Sequence, residues 1–217
     1  MSVEAIIFDL DGVIIDSEPI YLLRFQEFIK SVGFEVSLSE MSKMVGMNAQ
    51  QDFESVNEWT HNHFRDYQQY KEEMNAFFEK LPDVDYPAIK QKGLDELLAI
   101  FKSRNLKMGL ASASSPQDIQ KALVGTGVIE YFDYALSGHE VARSKPFPDV
   151  YLAVAKKLGV KPENCVVIED SANGIKAGKN AGMFVVAKRE ERFNFSQDEA
   201  DLIIDELMDF PFELLEG

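Results

Sequence analysis

The sequence has few basic residues and no long apolar run. Of its 217 residues, 22 are Lys or Arg and 37 are Asp or Glu, which gives a formal net charge of -15 at pH 7. The basic residues form no cluster of the kind that neutralises phosphate backbones. The first apolar run, Ala5 to Leu10, is interrupted by Asp9 and is too short for a signal sequence or a membrane span. We therefore expect no nucleic-acid partner, no membrane partner and no targeting segment.

Cysteine is almost absent as well. Cys165 is the only cysteine of the chain, so an internal disulfide is excluded. Its neighbours Val166 and Val167 are apolar, which indicates a small buried residue and not a reactive thiol. A chain without disulfides suits a reducing compartment. We expect a cytoplasmic monomer.

The first half of the chain has the spacing of helices. Tyr21, Phe25, Phe28 and Val32 follow one another at steps of four, three and four, and Gly33 stands where a helix commonly ends. Similar spacing continues to about residue 83 without strand-like alternation. Residues 17–83 are therefore predicted to form an all-helical block.

The pattern changes between Pro82 and Pro87, where short apolar strands begin to alternate with helices. This alternation is typical of a doubly wound parallel sheet. The predicted fold is an α/β core of residues 1–16 and 87–217, with a helical domain of residues 17–86 inserted after the first strand. Strands are predicted at residues 5–8, 106–111, 134–136, 165–168, 183–187 and 202–204, and a final helix at Leu207 to Leu215.

Two carboxylates stand at the end of the first strand. The apolar run Ile6 to Phe8 stops at Asp9 and Asp11, and Gly12 follows. Neighbouring anions repel one another unless a cation lies between them or one of them is protonated, so the pair favours a divalent metal site, an acid/base role, or both. Because Asp and Gly are also common turn residues, a solvated turn is an equal alternative on this segment alone.

Polar side chains follow other predicted strands too. Ser112 and Ser114 come after the second strand, and Glu169-Asp170 after the fourth. Lys145 lies in a loop stiffened by Pro146 and Pro148. In open parallel sheets, ligands bind outside the carboxyl ends of the strands. The coincidence of these groups at one edge favours a functional site over separate caps and surface charges.

These motifs resemble those of the haloacid dehalogenase-like superfamily. Asp9-Leu10-Asp11-Gly12 is similar to its first motif, and Ser112, Lys145-Pro146 and Glu169-Asp170-Ser171 stand where its other three are expected. The resemblance covers essentially the whole chain, and it is greatest to the β-phosphoglucomutase-like branch. It implies a Rossmann-like core, and a helical cap that closes over the site and selects the substrate.

The resemblance also implies a role for each site residue. Asp9 would be the nucleophile that takes up a phosphoryl group, and Asp11 the general acid/base. Mg²⁺ would be held by the Asp9 carboxylate, the Asp11 backbone carbonyl and Asp170, with Glu169 either a direct ligand or just outside the ligand shell. The phosphate-binding residues would be Ser112, Ser114 and Lys145.

We accordingly expect a Mg²⁺-dependent phosphohydrolase of small phosphorylated metabolites, chiefly sugar phosphates, which forms an aspartyl phosphate. The alternative is a β-phosphoglucomutase, which moves a phosphoryl group between C1 and C6 of glucose phosphate. The mutase resemblance implies an arginine near Gly46, but residues 46–51 contain none, although Arg65 or Lys71 could substitute. A non-enzymatic phospho-acceptor domain and a degenerate relative are more remote alternatives.

Overall fold

The computed structural model describes residues 2–45, 49–193 and 195–216. The chain divides into two compact units. The α/β unit comprises Met1–Asp16, Asp85–Glu191 and Phe195–Gly217, and the helical unit comprises Ser17–Val84 and Arg192–Asn194.

The α/β unit is built on a six-stranded parallel sheet. Its strands are β1 (Ala5–Phe8), β2 (Lys107–Ser112), β3 (Tyr134–Ser137), β4 (Cys165–Glu169), β5 (Phe184–Lys188) and β6 (Leu202–Ile204). They lie in the order β3-β2-β1-β4-β5-β6. In the register of the sheet, Phe8 at the end of β1 lies beside Leu110 of β2 and Ile168 of β4. The chain segments that follow β2, β1 and β4 are therefore neighbours.

Nine α-helices occur in the described part of the chain. They are α1 (Glu18–Ser31), α2 (Leu38–Met41), α3 (Ala49–Trp59), α4 (Tyr67–Phe78), α5 (Tyr86–Ile89), α6 (Leu94–Ser103), α7 (Pro116–Gly125), α8 (Asp149–Leu158) and α9 (Ala172–Asn180). The first four belong to the helical unit and the other five to the α/β unit.

Both faces of the sheet are covered by helices, as the doubly wound prediction requires. Side chains alternate along a strand, so β1 contributes Phe8 to one face and Ile7 to the other. Phe8 packs in a cluster with Phe101 of α6, whereas Ile7 packs in a second cluster with Tyr151 of α8 and Ile175 of α9. This double burial explains why the strands are continuous apolar runs. The predicted fold class is confirmed.

The helical unit has its own apolar core, rich in aromatic residues. Phe28 of α1 lies at its centre and packs against Phe64 and Tyr70. Helix α1 begins with Pro19 in its first turn, and Gly33 follows its end with φ +96°, a conformation that glycine adopts without strain. The periodic apolar residues of the sequence therefore form the buried face of this unit.

The prediction of a final helix over Leu207 to Leu215 is wrong. The structure has two short 3₁₀ helices there, Leu207–Asp209 and Phe212–Glu216. Pro211 separates them, because proline lacks the N–H that a continuous helix needs at that point. Among the described helices, none combines the length and the apolar character required to span a bilayer.

Candidate active site

Most of the polar residues predicted from sequence converge at the carboxyl ends of three adjacent strands, β2, β1 and β4. Asp9 follows β1 directly, and its backbone N–H donates to the carbonyl of Ile168 in β4, 2.9 Å away. The Asp9 side chain thereby comes next to Glu169 and Asp170 at the end of β4. Ser112 ends β2 on the other side of β1. The parallel register is the reason that these distant parts of the chain meet.

Asp9, Glu169 and Asp170 form a buried acidic cluster. Each offers a carboxylate oxygen, and these oxygens all lie within 4.8 Å of one another. Gly12 makes room for the cluster: a Cβ at this position would lie 1.8 Å from the Asp170 Oδ2 atom. Gly12 also has φ +80°, which residues with a side chain rarely adopt. The glycine of the first motif therefore has both a steric and a conformational reason.

Lys145 provides the positive charge of the cluster. Its Nζ atom lies 2.5 Å from Asp9 Oδ1 and 2.7 Å from Glu169 Oε1, and only 7% of its side chain is exposed. Burial alone would lower the pKa of Lys145, but the negative charges of Asp9 and Glu169 hold it well above its ordinary value. Lys145 is therefore a permanent cation between two carboxylates.

The three carboxylates of the cluster share one ammonium group. If all three carboxylates were ionised, they and the Lys145 ammonium group would leave two negative charges in a buried site. Burial raises the pKa of Asp9, and the charges of Glu169 and Asp11 act in the same direction, against the opposing effect of Lys145. One divalent cation would balance this charge and favour ionised Asp9. Carboxylate oxygens are the ligands of hard cations such as Mg²⁺, so the residues present fit that ion.

Glu169 is saturated with hydrogen bonds. Its Oε2 atom accepts from the backbone N–H of Asp170 at 2.7 Å, from the backbone N–H of Ser171 at 2.8 Å and from the Ser171 hydroxyl at 3.1 Å. Its Oε1 atom accepts from Lys145 and from the Tyr151 hydroxyl, the latter at 3.1 Å. Burial opposes ionisation, but Lys145 and these N–H donors hold the pKa of Glu169 below its usual range. Glu169 is therefore an ionised acceptor fixed by the protein itself.

Asp11 lies in a different setting from Asp9. Its Oδ2 atom accepts a hydrogen bond of 2.8 Å from the Ser114 hydroxyl. Ser114 is itself held, because its backbone N–H donates to Ser112 Oγ at 3.0 Å and its carbonyl accepts from Ser137 Oγ at 2.6 Å. Sequence reasoning assigned Ser114 to phosphate binding, whereas in the structure its hydroxyl contacts Asp11. The two aspartates of the first motif thus have separate partners.

Some of the residues around the site were not identified from sequence. Tyr151 stands among the apolar positions of α8, where nothing distinguishes a tyrosine that donates a hydrogen bond from one that only packs. Two glutamines hold backbone carbonyls of the site loops: Gln91 donates to Gly12 at 2.9 Å, and Gln197 donates to Asp170 at 2.5 Å. Ser171 was named in the fourth motif but given no role, and in the structure its hydroxyl caps the N-terminus of α9.

The arginine that the mutase resemblance implies near Gly46 would belong to the helical unit. An arginine was expected in residues 46–51, and residues 46–48 of this segment lie outside the described residues. Of the two proposed substitutes, Arg65 is exposed and forms an ion pair of 2.9 Å with Asp66, and Lys71 is also exposed.

Comparisons with known proteins agree with this geometry. The sequence profile of the haloacid dehalogenase-like hydrolase family matches residues 6–188. The chain is 30% identical to the β-phosphoglucomutase of Bacillus subtilis (strain 168), over 98% of this chain and 93% of that protein. It is 35% identical to hexitol phosphatase B of Escherichia coli (strain K12), over 82% of this chain and 80% of that protein.

A solved structure of β-phosphoglucomutase from Clostridium difficile superimposes with a TM-score of 0.81 at 29% identity, covering 99% of this chain and 96% of that one. Both enzyme classes considered from sequence, phosphatases and a phosphomutase, are thus represented among the relatives. The chain belongs to the haloacid dehalogenase-like hydrolase family.

Proposed function

We propose that this protein is a Mg²⁺-dependent phosphohydrolase of small phosphorylated metabolites, chiefly sugar or polyol phosphates, and that it works through a phosphorylated Asp9. The observation that carries the proposal is the different setting of the two aspartates. Asp9 lies in the acidic cluster against Lys145, whereas Asp11 lies against the Ser114 hydroxyl. This difference supports a division of roles, in which Asp9 would bond to phosphorus and Asp11 would transfer protons.

In the first half-reaction, a carboxylate oxygen of Asp9 attacks the phosphorus atom, and the bond between phosphorus and the ester oxygen breaks. Protonated Asp11 gives its proton to the leaving alcohol. Lys145 offsets the negative charge of the phosphoryl group as the anionic nucleophile approaches it. The Ser112 side chain, which ends β2 beside the cluster, would donate a hydrogen bond to a phosphoryl oxygen.

In the second half-reaction, Asp11 takes a proton from water, and the water oxygen attacks phosphorus. The bond between Asp9 and phosphorus breaks, which releases inorganic phosphate and restores ionised Asp9 and protonated Asp11. The residues that would hold Mg²⁺ are Asp9, Asp170 and the backbone carbonyl of Asp11. When bound, the ion supplies positive charge that stabilises the transferring phosphoryl group.

Glu169 is better suited to orient its neighbours than to ligate the ion directly. Its two oxygens already accept five hydrogen bonds from the protein. A direct bond to the metal would have to replace one of these donors, at the cost of a buried group left unpaired. We therefore assign Asp9 and Asp170 as the carboxylate ligands.

A phosphomutase is the second candidate, and the similarity to β-phosphoglucomutase over 98% of the chain favours it. The hydrolase is preferred because residues 46–51 offer no arginine for a second phosphate. The proposal also has the enzyme acting as a monomer in the cytoplasm, an expectation that rests on the sequence alone.

A panel of phosphorylated sugars and polyols, assayed with Mg²⁺ for phosphate release and in parallel for isomerisation of β-glucose 1-phosphate, tests the proposal. We expect phosphate release from at least one member to exceed isomerisation. Efficient isomerisation with negligible phosphate release would establish the mutase instead. Neither activity with any substrate would favour a degenerate or non-enzymatic relative.

A further inference from the structure

Gln197 is a buried polar residue that no motif includes. Its side chain contacts two segments of the α/β unit, and the residue is only 7% exposed. The Nε2 atom donates to the carbonyl of Asp170 at 2.5 Å and to the carbonyl of Lys188, at the end of β5, at 2.8 Å. The Oε1 atom accepts from the backbone N–H of Glu190 at 3.1 Å. Both N–H donors of the amide and its oxygen therefore have partners.

These contacts fix the backbone of Asp170 from its carbonyl side. On the amide side, the N–H of Asp170 donates to Glu169 Oε2 at 2.7 Å. Side chains thus hold both peptide groups of Asp170, which restrains the direction in which its side chain leaves the backbone. That carboxylate occupies the space that a Cβ at Gly12 would need.

We infer that Gln197 is a positioning residue for the metal site, acting through the backbone of Asp170. The inference rests on the proposed function in one respect, namely that Asp170 ligates Mg²⁺. Residues that orient a metal ligand without touching the ion typically contribute about 10- to 100-fold to metal affinity or activity. We expect a contribution of that order from Gln197.

Two substitutions of Gln197 distinguish a role in positioning Asp170 from a role in packing alone. Gln197→Glu keeps the volume of the side chain and the acceptor for Glu190, but it places a carboxylate oxygen against two carbonyl oxygens. Gln197→Ala removes all three hydrogen bonds and leaves a cavity. Gln26→Ala is the matched control in the helical unit, because it also removes a side-chain amide that donates to a backbone carbonyl, that of Val36 at 2.8 Å.

The experiment is a calorimetric titration of the full chain with Mg²⁺ alone, which needs no substrate. We expect the dissociation constant to rise about tenfold or more in both Gln197 variants and to stay unchanged in Gln26→Ala. In the phosphatase assay, saturating Mg²⁺ should restore most of kcat to Gln197→Glu, which a general loss of folding would not allow. Gln197→Asn replaces the alanine variant if that variant does not fold.

The two proposals fail in different ways. If the unmodified protein binds Mg²⁺ and the Gln197 variants bind it equally well, Gln197 is not a positioning residue and the proposed function is unaffected. If the unmodified protein does not bind Mg²⁺, the metal site of the proposed function is wrong, and the inference about Gln197 falls with it.

Discussion

The two units of the molecule bury polar atoms in opposite ways. In the α/β unit, the carboxylates of Asp9 and Glu169 are almost fully buried, and both are paired with Lys145. In the helical unit, among the described residues, one buried oxygen of Asp52 and one of Asn57 have no hydrogen-bond partner. Both of these residues lie on α3.

The difference shows what organises each unit. Burying an ionised group is costly unless a charge and hydrogen bonds compensate it, so a cluster of three carboxylates around one ammonium group favours a bound cation. A buried oxygen without a hydrogen-bond partner, as on α3, instead costs about 1 to 3 kcal/mol of stability. The same residue type, aspartate, is thus expected to have opposite effects on the molecule in the two units.

The largest expected effect is on activity and comes from Asp9→Asn. Removal of the nucleophile should lower phosphate release from an aryl phosphate by about 10⁴-fold or more. The same chemical change at Asp52 is the matched control and should leave the rate within a few-fold of normal. Hydrolysis that survives Asp9→Asn would overturn the assignment of Asp9 as the nucleophile. It would also remove the expected contrast between Asp9 and Asp52.

The next effect is on stability and comes from Lys145→Met. Removing one partner of a buried ion pair leaves uncompensated charge, which costs about 3 to 5 kcal/mol of unfolding free energy. Urea unfolding measures this loss, and added Mg²⁺ should recover part of it. The control is Lys179→Met, whose ion pair with Asp201 is partly exposed and should contribute less than about 1 kcal/mol. Equal losses of unfolding free energy in the two variants would contradict the claim that the buried ion pairs of Lys145 matter more than an exposed one.

A smaller loss is expected from Tyr151→Phe, which removes only the hydroxyl that donates to Glu169. A hydrogen bond to a charged group contributes about 1.5 to 3 kcal/mol, and Lys145 remains as a donor to the same oxygen, so the lower end of that range is expected. Urea unfolding checks the value. An unchanged unfolding free energy would show that Glu169 does not depend on this donor.

The smallest effect on stability, and the only increase in unfolding free energy, is expected from Asp52→Asn. Burial raises the pKa of Asp52 to about 6. A carboxyl with a raised pKa binds more protons in the folded than in the unfolded state between about pH 4 and 6, so the unfolding free energy falls as the pH rises through that window. The variant should lack this fall. It should be more stable at pH 7 by about 1 kcal/mol after allowance for solvent screening, with a smaller difference at pH 4.

Urea unfolding of the unmodified protein and of Asp52→Asn at pH 4 and pH 7 measures both differences. A stability difference that is the same at the two pH values would show that the Asp52 carboxyl is not responsible.

The sequence predicted that the main site residues lie close together, because the ends of the strands that precede them could be recognised. Asp9 and Glu169-Asp170 each follow an apolar run, and parallel strands bring such ends to one edge. Lys145 was identified from its loop, and its ammonium group lies against Asp9 and Glu169 in the structure. The doubly wound fold was predictable for the same reason, since continuous apolar strands between amphipathic helices allow few other arrangements.

Other features depend on side-chain geometry that no local pattern encodes. Tyr151 and Gln197 occupy positions where the sequence shows only an apolar helix and a polar loop, and their partners are 18 and 27 residues away. The hydrogen bond from Ser114 to Asp11 spans 103 residues. The prediction of a helix over Leu207 to Leu215 was wrong for a different reason. It relied on the apolar residues of that segment and gave too little weight to Pro211, which interrupts a helix.

The most direct test of the account is to trap the phosphorylated intermediate. Asp11→Asn should still be phosphorylated by acetyl phosphate, whose leaving group needs little protonation, but it cannot activate water to complete the cycle. Mass spectrometry of the digested variant should find one phosphoryl group on the peptide that contains Asp9, and none when Asp9→Asn is added. A phosphoryl group on another residue, or turnover of acetyl phosphate without any effect of Asp9→Asn, would contradict the account.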